Sequence, residues 1–250
     1  MSVAAILVVP FHDEADRWSD EYWNAMLSAT DIGWVLVDDG SSDGTPELLA
    51  ARTAPHVVLL RLGRNRGKSN AVREGMLAGL ERFPSGRIIG FLDGDGAFAV
   101  EEVHDVVRRS ADLVGGGRFD AVWSSRVALA GHRIERRLSR HYLGRLVATF
   151  LFRGVDWAPY DSQSGFKVFR VSEELQRSLR AHFLTRWFVD IELFTRLADE
   201  LQAIPRVREV PLESWRDVAG SKVSATAVTS ILRELRIARR QIRSIAHHAP

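Results

Sequence analysis

Gly33-Trp34-Val35-Leu36-Val37 runs directly into Asp38-Asp39-Gly40-Ser41-Ser42-Asp43-Gly44-Thr45 and then into Pro46-Glu47-Leu48-Leu49-Ala50-Ala51-Arg52. A short apolar run, a turn of small and acidic residues, and a run of helix formers opened by Pro make one strand–turn–helix unit. The same unit recurs on both sides of it. Strands are predicted over Ala4–Val9, Gly33–Val37, Val57–Leu62, Arg87–Leu92 and Asp120–Ser124, and helices over Ala15–Ser28, Pro46–Arg52, Ser69–Arg82 and Val100–Leu113. Such alternation predicts an α/β fold, a mostly parallel Rossmann-like sheet with helices on both faces. Ligands then bind at the carboxyl ends of the strands, so the residues that follow each strand are the ones to inspect.

Beyond residue 125 the pattern changes to a basic stretch with helical spacing (Ile134–Phe152), a polar loop (Asp156–Gly165), a strand (Phe166–Arg170) and further helices. No repeat or low-complexity linker interrupts the chain. We read one continuous domain over 1–223, in which 1–125 binds one substrate and 126–223 completes the site, followed by a basic amphipathic helix and tail over 224–250.

With 250 residues, 46% of them hydrophobic, the chain has enough material for a core without disulfides or a structural metal. Cys is absent, which excludes thiol catalysis and Cys-ligated metals. A formal net charge of +2 gives no sign of nucleic-acid binding. The basic residues are arginine everywhere except Lys68, Lys167 and Lys222, which marks these three as places where a compact ammonium suits better than a planar fork, or as chance. The N-terminal MSVAAILVVPF reads as a buried strand and not a signal peptide, and no apolar run reaches the length of a transmembrane span. A cytoplasmic location is the expectation.

The first strand ends in Pro10-Phe11-His12-Asp13-Glu14 and the second in the double carboxylate Asp38-Asp39. Two carboxylates before a turn that opens a helix suit hydrogen bonding to a base and ribose, whereas helix capping alone needs only Ser42 and Asp43. The fourth strand runs into Asp93-Gly94-Asp95-Gly96. In extended backbone, residues i and i+2 point the same way, so Asp93 and Asp95 can share one hard divalent cation, Mg²⁺ or Mn²⁺, that keeps open positions for phosphate oxygens. Asp-x-Asp is common in turns. Its place at the end of a buried strand, in register with Asp38, lifts it above that background.

Taken together, these segments resemble the family 2 glycosyltransferases of GT-A fold. Asp38–Thr45 fits that family's Asp-Asp-Gly-Ser-x-Asp-Gly-Thr loop at every position, Pro10 and Glu14 fit its Pro-x-x-Asn-Glu start, and Asp93 with Asp95 fits its metal motif. Further segments resemble the polyprenyl-phosphate branch of dolichyl-phosphate mannose synthases and β-glucosyltransferases. They are Arg64–Lys68, Ser125-Arg126, Asp161–Lys167, Arg186–Glu192 and Gly220-Ser221-Lys222, and the surroundings of Trp187 and Trp215 look closer to the glucosyl type. The likeness spans residues 3–223. His12-Asp13 departs from the usual Tyr-Asn pair, Ser164 stands where Cys is frequent, and the C-terminal transmembrane helices of many bacterial relatives are missing.

The resemblance implies an inverting transfer of glucose or mannose from a nucleotide diphosphate sugar, UDP-glucose or GDP-mannose, to a polyprenyl phosphate. It implies a donor site of Pro10, Glu14, Asp38, Asp39, Lys68, Asp93 and Asp95, with Mg²⁺ or Mn²⁺ on the last two. The acceptor phosphate falls to Arg126, Arg136, Arg140, Gln163, Ser221 and Lys222. Arg136 and Arg140 are four apart and share a helix face, for which a solvated surface is the equal alternative. Asp190 and Glu192 occupy the region where related transferases place a base; the helical pattern around them lets only one face the site, and we choose Asp190 beside Asp95 and Arg126 as a catalytic group. A macrodipole-stabilised helix charge is the alternative for Asp190. Two other functions stay open: transfer to a small soluble acceptor, or a silent nucleotide-sugar-binding module.

Between Ala225 and Ile245, Val228, Ile231, Leu232, Leu235, Ala238, Ile242 and Ile245 form one helical stripe and Arg233, Arg236, Arg239, Arg240 and Arg243 a second. Such a helix suits peripheral attachment to the inner face of an anionic membrane. Packing of the stripe on its own domain or on the partner in a homodimer is the alternative.

Overall fold

The computed structural model describes residues 3–155, 157–218 and 228–246. In chain order the elements are β1 (Ala5–Phe11), α1 (Asp20–Met26), β2 (Ile32–Asp38), α2 (Thr45–Ala50), β3 (Val57–Arg61), α3 (Lys68–Arg82), β4 (Ile88–Leu92), α4 (Val100–Gly115), β5 (Ala121–Ser125) and β6 (Arg133–Glu135). They continue with α5 (Leu138–Phe152), β7 (Phe166–Arg170), α6 (Glu173–Ser178), α7 (Val189–Leu201), β8 (Val207–Pro211), β9 (Ser214–Arg216) and α8 (Val228–Ser244).

Seven strands form one sheet in the order β3-β2-β1-β4-β7-β5-β8. Neighbours pair in parallel except at β7, which is antiparallel to β4 and to β5. β7, from the second half of the chain, thus sits between two strands of the first half, and the halves share a single sheet. β1, β2 and β4 are buried almost throughout and are built mainly from continuous runs of Val, Ile, Leu and aromatic residues instead of alternating ones, while the equally buried β5 ends in Ser124 and Ser125. One core, with Leu7, Trp34, Phe98, Val103 and Phe166, fills one side of the sheet. The other, with Val8, Val35, Val72, Trp123 and Phe194, fills the opposite side beneath α3 and α7.

Two predicted helices are shorter than expected. The stretch Ala15–Ser28 contains a 3₁₀ turn at Ala15–Arg17, then extended Trp18, and α1 begins only where Ser19 caps it by accepting from the Tyr22 N–H at 3.2 Å. The stretch Ile134–Phe152 opens instead as β6, because Ile134 pairs with Trp215 in a small parallel ribbon with β9. α8 forms as predicted, and its stripe is used mostly inside the molecule: Ala238 and Ile242 pack with Leu151 and Phe152 of α5 and Ile191 of α7. Leu232 remains exposed. Among the described residues no helix is long and apolar enough to cross a membrane.

α3 lies close against the sheet because its facing positions lack side chains. A Cβ on Gly75 would stand 2.3 Å from Val8 Cγ1, and one on Gly79 2.7 Å from Ile6 Cγ2. In an open helix Gly→Ala is worth about 1 kcal/mol of stability. Here the contact reverses the sign: Gly75→Ala lowers unfolding stability by about 1–3 kcal/mol, seen as a lower urea midpoint at unchanged m-value.

Candidate active site

The loops after β1 and β2 are stitched to each other. Asp13, held at φ 51°, accepts from the Ser42 N–H at 2.7 Å, while its own N–H donates to Ser41 Oγ at 3.1 Å. The Glu14 N–H donates to Thr45 Oγ1 at 2.7 Å and the Ala15 N–H to Asp43 at 3.0 Å. The Ser42 N–H bond, foremost, holds the Asp13 carboxyl below its ordinary range. Glu14 pairs with Arg17. Pro10, next to the last residue of β1, has its carbonyl oxygen 2.9 Å from where a Cβ on Gly94 would lie, so the end of β1 abuts the Asp93 turn.

The double carboxylate turns into its own loops. Asp38 accepts from the Ser41 N–H at 2.9 Å, and Asp39 accepts from the Arg66 and Gly67 N–H groups at 2.7 and 2.8 Å. Both are buried. Burial raises the Asp39 pKa despite these two bonds. Gly67, at φ +86°, lets the chain bend towards Asp39 beneath Arg186. Asp39 therefore shapes the turn that launches α3 and sets Lys68 at its first position.

Lys68 forms a close ion pair with Asp93. Burial alone would lower the Lys68 pKa, yet the carboxylate raises it above the ordinary lysine value. Asp95 is pushed up to about 6, by burial first and then by the charge of Asp93. Two anions crowded at one strand end are the arrangement that a cation relieves. Gly165 makes room for them: its carbonyl accepts from the Asp93 N–H at 2.9 Å, and a Cβ there would lie 2.0 Å from an Asp93 carboxylate oxygen.

Across from the carboxylates, Arg126 grips Asp161 in a fork, Nε at 2.7 Å and a terminal nitrogen at 2.8 Å, with the Arg126 N–H adding a third bond at 3.0 Å. Burial would raise the Asp161 pKa, but Arg126 drives it far below the ordinary range. The Arg126 guanidinium also lies over the Trp215 ring, 5.1 Å from its centroid. Burial and the neighbouring charge of Arg126 lower the Arg136 pKa. Glu209 holds the loop by accepting from the Tyr160 and Asp161 N–H groups.

Between these walls lies a cavity of about 290 Å³. Asp93, Asp95, Arg126, Arg136 and Gln163 line it together with Trp215, Asp217 and the α5 residues Leu143, Gly144 and Val147. Gly144 gives Arg136 its space, since a Cβ there would come within 2.7 Å of the guanidinium. The sequence-predicted residues Lys68, Asp93, Asp95, Arg126, Arg136 and Gln163 are thus brought together from five different loops or elements. Asp217, Leu143 and Val147 were missed; their spacing marked them only as loop and helix positions. Ser221 and Lys222 lie outside the described residues, as does the side chain of Arg140.

Asp190 does not line the cavity. Its carboxylate accepts from buried Lys167 at 2.9 Å, and the same ammonium donates to the Ser162 and Ser164 carbonyls at 3.1 and 2.6 Å. Burial lowers the Lys167 pKa against the pull of Asp190. The expected base is therefore the counter-ion of a lysine that pins the loop carrying Asp161 and Gln163. Glu192 is also structural, accepting from the Leu184 and Thr185 N–H groups and from Arg196.

The family model described as glycosyl transferase family 2 matches residues 7–172. A dolichyl-phosphate beta-glucosyltransferase of Dictyostelium discoideum is 30% identical over 200 residues, 76% of this chain and 56% of that one. Another from Trichomonas vaginalis is 30% identical over 250 residues, 93% of this chain and 70% of its own. An undecaprenyl-phosphate 4-deoxy-4-formamido-L-arabinose transferase of Shewanella sediminis is 29% identical over 62% of this chain and 45% of that one. This chain thus spans little more than half of several relatives. Among solved structures, glucosyl-3-phosphoglycerate synthase from Mycobacterium tuberculosis, in complex with Mn²⁺, UDP-glucose and phosphoglyceric acid, superposes with a TM-score of 0.65 at 18% identity, over 99% of this chain and 81% of that one. The fold is therefore GT-A.

The Arg126–Asp161 pair is buried enough that removing one partner strands the other. Asp161→Asn should cost about 3–5 kcal/mol at neutral pH. Because the folded pKa is depressed, the contribution is fully present above the unfolded carboxyl pKa of about 3.9 and fades as pH falls towards the folded value. Denaturant melts of both proteins should show the gap narrowing below about pH 4.

Proposed function

This chain belongs to glycosyl transferase family 2, and from that premise we propose that it transfers glucose from UDP-glucose to a polyprenyl phosphate with inversion at the anomeric carbon. The observation that carries the reading is a single cavity lined by carboxylates Asp93, Asp95 and Asp217, cations Arg126 and Arg136, and apolar Leu143 and Val147. An acceptor that joins a phosphate to an apolar chain matches that lining better than a small polar acceptor does. The relatives named for dolichyl-phosphate glucosylation favour glucose over mannose, with GDP-mannose as the competing donor to test.

Asp93 and Asp95 fit a divalent ion, Mg²⁺ or Mn²⁺: burial first and then the charge of Asp93 raise the Asp95 pKa, and Lys68 already pairs with Asp93. When bound, such an ion would supply charge neutralisation at the leaving diphosphate. Lys68 holds a second positive charge on the same side. Arg126, with its fork fixed by Asp161, and Arg136 hold the acceptor phosphate at the opposite wall, so the two anions approach without mutual repulsion dominating. An acceptor phosphate oxygen attacks the anomeric carbon as its bond to the diphosphate oxygen breaks. The nucleophile is already an anion, so no proton has to be removed, in keeping with Asp190 being engaged by Lys167. Pro10, Glu14, Asp38 and Asp39 act by shaping the donor loops. Gln163 and Trp215 complete the sugar and acceptor walls.

Incubation with UDP-glucose or GDP-mannose, a short polyprenyl phosphate and Mg²⁺ or Mn²⁺ should yield glycosylated lipid and free nucleoside diphosphate. Transfer only to soluble acceptors would overturn the lipid assignment. Asp95→Ala should reduce turnover by more than about a hundredfold. Arg126→Ala should raise the KM for acceptor far more than that for donor, and Lys at 126 should restore little because the fork is lost.

A further inference from the structure

α5 is apolar on two faces. Val147, Leu151 and Phe152 face inward, to the cavity or the α7–α8 core, and Ala148 is buried as well. On the other side Leu138, Tyr142 and Leu146, each four residues after the last, form a ridge that is 73%, 64% and 68% exposed. Leu143 and Phe150 flank it and are exposed as well. A ridge of large apolar side chains on the outward face of a helix whose inner face is already packed calls for a covering partner or lipid. At about 22 Å its fifteen residues are too short to span a bilayer.

The charges around the ridge identify what covers it. The stretch from Arg136 to Gly154 holds Arg137, Arg140, Arg145 and Arg153 and no acidic residue. α8 packs alongside, with Arg233, Arg236, Arg240 and Arg243 exposed and Arg239 over the Phe150 ring at 4.7 Å. Its one acid, Glu234, is buried and accepts from the Arg186 and Trp187 N–H groups. An apolar ridge on a helix whose own charges, like the exposed ones of the described part of α8, are all basic is complementary to an anionic headgroup layer over hydrocarbon. Leu143 belongs both to this face and to the cavity lining, so the ridge is continuous with the acceptor wall.

The geometry points to the outward face of α5, with the exposed arginines of α8 beside it, as a docking surface for an anionic bilayer, laid so that a lipid phosphate enters the cavity past Leu143. The route for the lipid rests on the acceptor proposed above; the docking itself does not. The full chain is sedimented with vesicles of equal parts phosphatidylcholine and phosphatidylglycerol, or of phosphatidylcholine alone, at low and high salt, without any acceptor. Binding should require the anionic lipid and fall with salt. Tyr142→Ser with Leu146→Glu should weaken it by roughly tenfold or more, and Arg236→Glu with Arg240→Glu should weaken it as well. Urea melts matching the unsubstituted chain show that each variant is folded, and for the first pair transfer to a water-dispersed short-chain acceptor should be unchanged while transfer to vesicle-borne acceptor falls. Absence of binding to anionic vesicles, unaltered binding by folded variants, or a stable dimer abolished by Leu146→Glu would overturn the docking. Docking without transfer to any polyprenyl phosphate would leave the surface standing and overturn the acceptor.

Discussion

The antiparallel insertion of β7 between β4 and β5 is the constraint on which the site depends. A parallel strand presents the loop that follows it to the ligand-binding edge; an antiparallel one presents the loop that precedes it. Phe166 pairs with Leu92, so Gly165 lies against Asp93, and the loop that carries Asp161 and Gln163 arrives at the same edge as the loops after β1, β2, β4 and β5. Gly165 is the tightest point of that junction. No side chain fits between the β7 backbone and the Asp93 carboxylate.

Once that edge is assembled, most of its charges serve to place a few others. Asp39 binds the turn ahead of Lys68, Lys68 pairs with Asp93, Asp161 aligns Arg126, Glu209 anchors Asp161, and Asp190 holds Lys167 beneath the same loop. A buried charge without a partner is costly, and each of these pairs answers that cost while fixing an orientation. What remains directed at the cavity is the carboxylate pair Asp93 and Asp95, the cations Arg126 and Arg136, and Asp217, whose charge acts on both cations.

α5 connects this chemistry to the surface. Its inner face contributes Gly144 and Val147 to the cavity and Leu151 and Phe152 to the small core shared with α8, leaving the ridge of Leu138, Tyr142 and Leu146 outside. α8 in turn gives Leu235, Ala238 and Ile242 to that core and keeps Arg233, Arg236, Arg240 and Arg243 exposed.

Strand–turn–helix alternation was legible in the chain because buried parallel strands must be continuously apolar and their turns need Gly, Asp and Ser; the five strands from Ala4 to Ser124 and the loop Asp38–Thr45 followed from local chemistry alone. Asp93 and Asp95 were legible for the same reason, standing just past a strand end, whereas Arg126 was singled out by the resemblance of its Ser125-Arg126 pair to a family motif. Tertiary structure decided what local pattern leaves open. Asp190 has the type and neighbourhood of a base, but only packing of α7 against β7 reveals Lys167 beside it. The helical period of α8 is plain, yet which body covers its stripe depends on α5, about eighty residues away in sequence. Likewise no spacing rule announces that a strand from the second half turns antiparallel inside the sheet of the first, because strand direction is set by long-range pairing and by the path of the connecting chain.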